Sequence, residues 1–554
     1  MRGRQVLMES LRLHGVDCIF GNPGTTENPL LDSLIDYPDI KYYVALHEGV
    51  AVGAAGFYAQ ATGKTGITNL HVAPGLGNAI GMIYGALKAN SPMIVTAGQQ
   101  DTRLRLRNPL LGHDLVAMAT AVTKWSVQPE SADEIGPLMQ RAFKVAHDAP
   151  AGPVFVALPV NVMEQETSVP ATTAGNLYTG TPADPAAIAD VCARLLGSNS
   201  PAIVAGDDVA TSGAAEALVK LAEKTGAAVF NEGLRAQLSF PNRHPNFRGR
   251  IPFEAANIRR MLGNFDLVLL IGGQFFEEVW FDEGNPVPES VSVIQIESSR
   301  ERLAFNFSLQ AGVIGHIPTV LNELNEALDK SSDDDFAQSS KERNEKLAQQ
   351  RSDFTENANS RLEALWDRSP MYPVRAIHEI RAALPDNAII VDESITASLE
   401  VAGGFDYREP GDYYAARGGG IGQGIAGAIG TQVAHPDRPV IALSGDGSAM
   451  YSIQAFWTAA HHRLPIVFII LSNREYRVLK HNMDTYRQRF DAESNRPYPH
   501  MNLTEPTLDF ASMARGMGVD GTLVEDPAQL QSVVKEAIAA RRPHVIEVVI
   551  AGKE

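Results

Sequence analysis

The chain has 554 residues, 44% of them hydrophobic and 20% charged, and a formal net charge of −18. That length suits about three or four domains, and the composition fits a soluble globular protein. The acidic balance argues against nucleic acid or an anionic membrane as the main partner, two cysteines, Cys18 and Cys192, argue against a disulfide framework, and no apolar run is long enough to span a bilayer.

The N-terminal MRGRQVLMESLRLHG has an amphipathic helical pattern without a signal-peptide apolar core, so a cytoplasmic location is expected. Cys18-Ile19-Phe20 reads as a short strand ending in the turn signal Gly21-Asn22-Pro23-Gly24. A helix rich in small residues runs from Ala51 to Ala61. Ile67 to Leu70, Met93 to Ala97 and Val154 to Leu158 read as buried strands. Strands alternating with helices imply a parallel sheet covered on both faces. This first unit spans 1–165, and a Thr/Ala/Gly/Pro-rich linker follows. A second α/β unit, 183–330, has strand candidates Ala202-Val204, Ala228-Phe230, Leu267-Ile271 and Val293-Ile296. The stretch 331–369 is charged, with almost no apolar stripe, and reads as an exposed helical linker. The third unit, 370–554, carries strand candidates at Ile389-Val391, Val440-Leu443 and Ile466-Leu471. The first and third units are candidates for a shared architecture.

The most informative motif lies in that third unit. Gly445-Asp446-Gly447-Ser448 follows one apolar strand, and Ser472-Asn473 ends the next. Neighbouring parallel strands place Asp446 and Asn473 side by side at their carboxyl ends, where open α/β sheets bind ligands. A carboxylate and an amide oxygen are hard ligands suited to Mg2+, which completes its shell with phosphate oxygens and water. The glycine-rich turn Gly418 to Gly424 leads into a helix and is by itself a weak phosphate-binding signal. Glu48, in Leu46-His47-Glu48-Gly49, sits at a helix start, where a carboxylate is favourable through the dipole.

This order, GDG, helix, strand, Asn, resembles the diphosphate-binding motif of thiamine diphosphate (ThDP) enzymes. The resemblance implies three doubly wound parallel-sheet α/β domains: pyrimidine-binding, central and diphosphate-binding. It implies Mg2+ held by Asp446, Asn473 and the carbonyl of Glu475. Thr396, Gly419, Ile421, Gly447, Ser448 and Tyr476 would join Glu48 in binding the cofactor, with Ile421 pressing it into a bent shape. Glu48 would hydrogen-bond the aminopyrimidine ring and favour the tautomer that removes the thiazolium C2 proton. Gly21-Asn22-Pro23-Gly24-Thr25-Thr26-Glu27, Asn69-Leu70-His71, Thr96-Ala97-Gly98-Gln99-Gln100, Lys124-Trp125-Ser126 and Trp457-Thr458-Ala459-Ala460 are similar to the benzoylformate decarboxylase branch. In that branch a Ser at the place of Thr25 binds the substrate carboxylate, and a His at the place of His71 is the acid/base near C2.

Two departures bear on the substrate. The branch's second catalytic His falls at Val279, which transfers no protons. Arg477-Val478-Leu479-Lys480-His481-Asn482 is more polar and basic than a phenyl pocket requires, and His481 is a candidate replacement acid/base, set against a solvated helix face. A polar stretch from about Thr485 to Leu508 follows. The expected activity is ThDP- and Mg2+-dependent decarboxylation of a 2-oxo acid to an aldehyde, with carboligation as a side activity. A 2-hydroxyacyl-CoA lyase, an acetolactate synthase-like carboligase and a non-enzymatic ThDP-binding regulatory or scaffold protein are the alternatives. Partners are a small-molecule substrate, a 2-oxo acid or acyl-CoA, and further copies of the chain. The resemblance implies a tetramer built from dimers, with active sites between subunits. Whether the central domain holds a nucleotide such as FAD stays open; Gly272-Gly273 reads as simple turn chemistry, and FAD is not expected.

Overall fold

The computed structural model describes residues 1–553. It contains three six-stranded parallel sheets in an α/β fold. The first is built from β1 (Cys18–Gly21), β2 (Lys41–Val44), β3 (Gly66–Leu70), β4 (Met93–Gln99), β5 (Trp125–Val127) and β6 (Pro153–Pro159), in the order β2-β1-β3-β4-β6-β5. The second comprises β7 (Pro201–Ala205), β8 (Ala228–Asn231), β9 (Phe247–Arg250), β10 (Leu267–Ile271), β11 (Ser292–Glu297) and β12 (Ala311–Ile314), ordered β12-β11-β10-β7-β8-β9. The third has β13 (Ile389–Glu393), β14 (Tyr413–Ala415), β15 (Val440–Gly445), β16 (Val467–Ser472), β17 (Asp520–Val524) and β18 (His544–Val549), ordered β14-β13-β15-β16-β18-β17.

Counted within each sheet, the first and third share one order, 2-1-3-4-6-5, whereas the second follows the Rossmann order 3-2-1-4-5-6. In the first and third sheets the strand order reverses between the first and third strands. A crevice therefore opens at the carboxyl ends of β1 and β3, and of β13 and β15.

The chain forms two compact units. One joins the first and third sheets (Met1–Gly175, Leu365–Phe405 and Tyr414 onward); the other holds the second sheet (Asn176–Ala364 with Asp406–Tyr413). Within the first unit a single apolar cluster runs from Phe20 and Val95 through Ala51 and Ile425 to Phe468. Its centre is the crossing of the Glu48–Thr62 and Gln423–Ala434 helices. Both helices are made of small residues, and the crossing requires them. A Cβ on Gly53 would lie 2.7 Å from that of Ala426, and one on Gly430 would overlap the Ala54 carbonyl oxygen. The Glu48–Thr62 helix is capped by the His47 ring, which accepts the Gly49 N–H, and stops at Gly63, whose φ of 68° suits a glycine C-cap.

In the second unit, residues read from sequence as an exposed linker form one helix, Asp334–Leu365. It buries Phe336, Ser340 and Leu347, and Ser340 Oγ donates to the carbonyl oxygen of Lys224 at 2.7 Å. A sparse set of docking side chains, too few to make a sequence stripe, therefore ties this helix to the unit. Among the described residues no helix is long and apolar enough to cross a membrane.

Candidate active site

The crevice of the first sheet gathers two carboxylates, one imidazole and two amides. Glu48 is 5% exposed. Its carboxylate accepts from Asn22 Nδ2 at 3.1 Å and Asn78 Nδ2 at 3.0 Å. Asn22 follows β1, and Asn78 lies on the Val72–Lys88 helix after β3. Those two amides hold the side chain in place, as a buried polar group requires.

His71 sits at the carboxyl end of β3. Its Nδ1 lies 2.8 Å from Glu27 Oε2, and the fully buried Glu27 also accepts the Thr26 hydroxyl at 2.7 Å and the Gly98 N–H at 2.9 Å. This fixes Nδ1 as the nitrogen facing the carboxylate and turns Nε2 away from it. The His71 ring packs on Gly24, where any Cβ would overlap it. Glu27 escapes a reading of the sequence by single motifs, although it ends the Gly21-to-Glu27 segment that points to this site. Thr25, at the start of the Thr25–Glu27 turn, is exposed and lines an 870 Å³ cavity with Arg4, Gln100 and Asp101.

The third sheet supplies the second cluster. Gly445 of β15 pairs with Leu471 of β16, which sets Asp446 and Asn473 at adjacent strand ends. The Asp446 carboxylate accepts the Gly447 N–H at 2.7 Å and the Arg474 N–H at 2.6 Å. Burial outweighs those donors and lifts its pKa to about 6, with the Glu547 and Glu475 charges adding to the rise. Asn473 Oδ1 accepts the Glu475 N–H at 3.1 Å. Among the described residues there is no group of three or more His, Cys, Asp or Glu able to hold a metal. The Asp446 carboxylate, the Asn473 amide oxygen and the Glu475 carbonyl are a hard-oxygen donor set, whose chemistry fits Mg2+ completing an octahedral shell with phosphate and water oxygens. Space beside the loop fits a bound group too: nothing lies within 4 Å of where a Cβ on Gly445 or Gly419 would stand. The Tyr476 ring packs over Gly447, 2.6 Å from where its Cβ would be. Ser448 is buried, Ile421 is half-buried beside the glycine turn, and Thr396 is half-buried in the turn Ile395–Ala397.

Three turns at these strand ends hold a non-glycine residue at positive φ: Val72 (48°), Ile395 (50°) and Arg474 (59°). Such positions cost about 1–3 kcal/mol each. They follow His71, precede Thr396 and follow Asn473, so each of these candidate residues adjoins a strained backbone position.

Other sequence candidates are placed as follows. Val279 lies in the second unit, is 63% exposed and donates its N–H to the Phe253 carbonyl. His481 is exposed on the Arg477–Arg489 helix. Partial desolvation, and then the Arg477 and Lys553 charges, lower its pKa. Lys480 is buried and already committed: its ammonium pairs with the Glu475 carboxylate and donates to Asn502 Oδ1 at 2.7 Å. The polar stretch after it is anchored by Tyr498, whose hydroxyl donates to Asp484 at 2.6 Å and whose ring lies 4.9 Å from the Arg487 guanidinium.

Comparisons with known proteins identify the family. The models for the thiamine pyrophosphate enzyme N-terminal TPP binding domain, central domain and C-terminal TPP binding domain match residues 1–118, 188–324 and 396–548. The chain is 33% identical over 545 residues to a benzoylformate decarboxylase of Pseudomonas aeruginosa, covering 98% of this chain and 97% of that one. It is 25% identical to an acetolactate synthase of Bacillus subtilis, over 99% of this chain and 93% of that one. The solved structure of a thiamine diphosphate-dependent 4-hydroxybenzoylformate decarboxylase from Rhodococcus jostii RHA1 superposes with a TM-score of 0.85, at 29% identity over the full length of both chains. With matching N-terminal, central and C-terminal domains and a full-length relative at this identity, the chain belongs to the thiamine diphosphate-dependent enzyme family.

Proposed function

We propose that the chain is a ThDP- and Mg2+-dependent 2-oxo acid decarboxylase of the benzoylformate decarboxylase type, releasing an aldehyde. The observation that carries this reading is the pairing, in one crevice, of the amide-held Glu48 carboxylate with a His71 ring oriented by buried Glu27. Bound ThDP supplies the electron sink that lets a 2-oxo acid lose carbon dioxide. Asp446, Asn473 and the Glu475 carbonyl would hold the Mg2+ and through it the diphosphate, with Thr396, Gly447, Ser448 and Tyr476 around it. Gly419 and Ile421 would lie against the aminopyrimidine. Glu48 would exchange a proton with a ring nitrogen of that group. Thr25 would offer its hydroxyl to the substrate carboxylate. His71 would carry a proton on Nε2 to and from the reacting carbon and oxygen.

Two observations weigh against the other enzymatic readings. In the second sheet's crevice, Glu232 accepts the N–H groups of Asp207 (2.9 Å), Gln274 (3.0 Å) and Phe275 (3.1 Å). Asp207 lies in the first βα turn of this Rossmann-ordered sheet, where a dinucleotide diphosphate would seek backbone donors, and its N–H is already taken, which disfavours FAD and an acetolactate synthase. Lys480 is neutralised by Glu475, which removes one cation that an acyl-CoA would use.

The test is consumption of benzoylformate by the purified protein with and without ThDP and Mg2+. Cofactor-dependent consumption with benzaldehyde release is the expected result. Cofactor binding without consumption moves the substrate to a 2-oxo acid with a polar side chain, and absence of ThDP binding overturns the reading.

A further inference from the structure

Glu393 is 2% exposed and ends β13. Its two carboxyl oxygens accept the N–H groups of Gln423 and Gly424, each at 3.0 Å. These N–H groups open the Gln423–Ala434 helix, whose first turn has no intrahelical partners for its donors. A helix is ordinarily capped by its own N-cap side chain. Here the N-cap is Gly422, at φ 93° and without a side chain, so the cap comes from the sheet. The fit is close: a Cβ on Gly424 would stand 2.6 Å from that of Glu393.

The rest of the glycine turn is braced from other sides. Ser452 Oγ donates to the Gly422 carbonyl at 2.6 Å. Gln423 Nε2 donates to the carbonyls of Arg417 (2.9 Å) and Gly420 (2.7 Å). What stays open is the space beside Gly419. Glu393 also pairs in register with Ser444, two residues before Asp446. One rigid pair of strands therefore carries both the metal loop and, through a side chain, the turn that bears Ile421.

Resting on the cofactor reading above, we infer that Glu393 is a positioning residue: its buried carboxyl group sets the place of the Gly418–Gly422 turn relative to Asp446, and so the conformation in which ThDP is held. A site held to within about half an ångström depends on such supporting links.

The test uses Glu393→Gln, which keeps the volume but loses one acceptor, and Glu393→Asp, which keeps the charge but shortens the reach. ThDP affinity at saturating Mg2+ is read by quenching of intrinsic fluorescence, and the exchange of the ThDP C2 proton for deuterium by acid quench and NMR. Both variants are expected to show C2 exchange slowed at least about tenfold or ThDP bound at least about tenfold more weakly, with the KM for the 2-oxo acid near wild type. Should Glu393→Gln not fold, Ser452→Ala, which removes the brace on Gly422, must slow exchange in the same direction. Variants with wild-type affinity and exchange that differ only in melting temperature would reduce Glu393 to a structural cap and overturn the proposal alone. A wild-type chain that fails to bind ThDP overturns the cofactor reading, and this proposal with it.

Discussion

Glu27 and His71 act as one unit, because a ring held by a carboxylate at 2.8 Å has its tautomer and direction chosen for it. Glu27→Gln keeps the shape and still accepts from Gly98, but it no longer charges the ring's partner. It should lower kcat by about 10²-fold or more, as loss of oriented acid/base catalysis does. Steady-state kinetics of Glu27→Gln, His71→Ala and the double variant check this: the double variant should be little worse than His71→Ala, and multiplying losses would show independent roles. Chemistry-bearing residues were legible where a motif names them, as at Asp446 and Asn473. Glu27 and Asn78 were not, because their role lies in contacts across β1, β3 and β4 that no local spacing encodes. Another buried carboxyl group gives a pH-dependent signature. Burial lifts Glu297 to about 7, opposed by the Arg302 charge and assisted by that of Asp208. Between the ordinary carboxylate range and pH 7 the folded protein keeps a proton that the unfolded chain has released. Stability from this group is therefore full at low pH and is lost as pH rises through about 7, on the order of 2–3 kcal/mol. The second unit's thermal midpoint should fall between pH 5 and pH 8 in the wild type. Glu297→Gln should flatten that slope, and an unchanged slope would assign the pH response elsewhere.

Elements were legible in proportion to their burial. Central strands such as β4, β10 and β15 are nearly continuous apolar runs, buried on both faces, and read directly as strands. The edge strands β2, β5, β9, β12, β14 and β17 do not: most are only partly buried, and β14, though buried, is only three residues long. One central strand, β18, also escapes, since Glu547 interrupts its apolar run and is spent on the Phe510 N–H at 2.9 Å. Glycines in helices carry the opposite kind of information, because their need appears only in three dimensions. Gly430 meets the Ala54 carbonyl at the helix crossing, whereas Gly403, in the Ser398–Gly404 helix, has nothing within 4 Å of an added Cβ. Gly430→Ala should force the helices apart at a cost of roughly 1–3 kcal/mol, lowering the thermal midpoint and ThDP affinity together. Gly403→Ala should be neutral or raise stability by up to about 1 kcal/mol. Equal midpoints for the two variants in differential scanning calorimetry would show that the crossing tolerates separation.

At the scale of the whole molecule, the first and third sheets repeat one strand order and each places its polar cluster at the same switch point. Glu48 and its partners Asn22 and Asn78 belong to the first sheet's domain, and Asp446 and its partners Gly447 and Arg474 to the third's. A cofactor whose ring is held by one cluster and whose diphosphate is held by the other needs both clusters face to face. In the dimer that the family resemblance implies, the two clusters of a working site would come from different copies of the chain. Complementation separates that arrangement from a site completed within one chain. Glu48→Gln and Asp446→Ala should each be inactive as pure proteins, with folded spectra. In a mixed dimer, one site combines both substitutions and is dead. The other combines the intact Glu48 of one copy with the intact Asp446 of the other. Random pairing of equal amounts makes half the dimers mixed, each with one working site of two, so unfolding and refolding the variants together should restore about a quarter of wild-type turnover. Variants refolded separately and assayed at once after mixing should show none of this activity. A site completed within a single chain would leave every copy defective, and the mixture would stay as inactive as its parts.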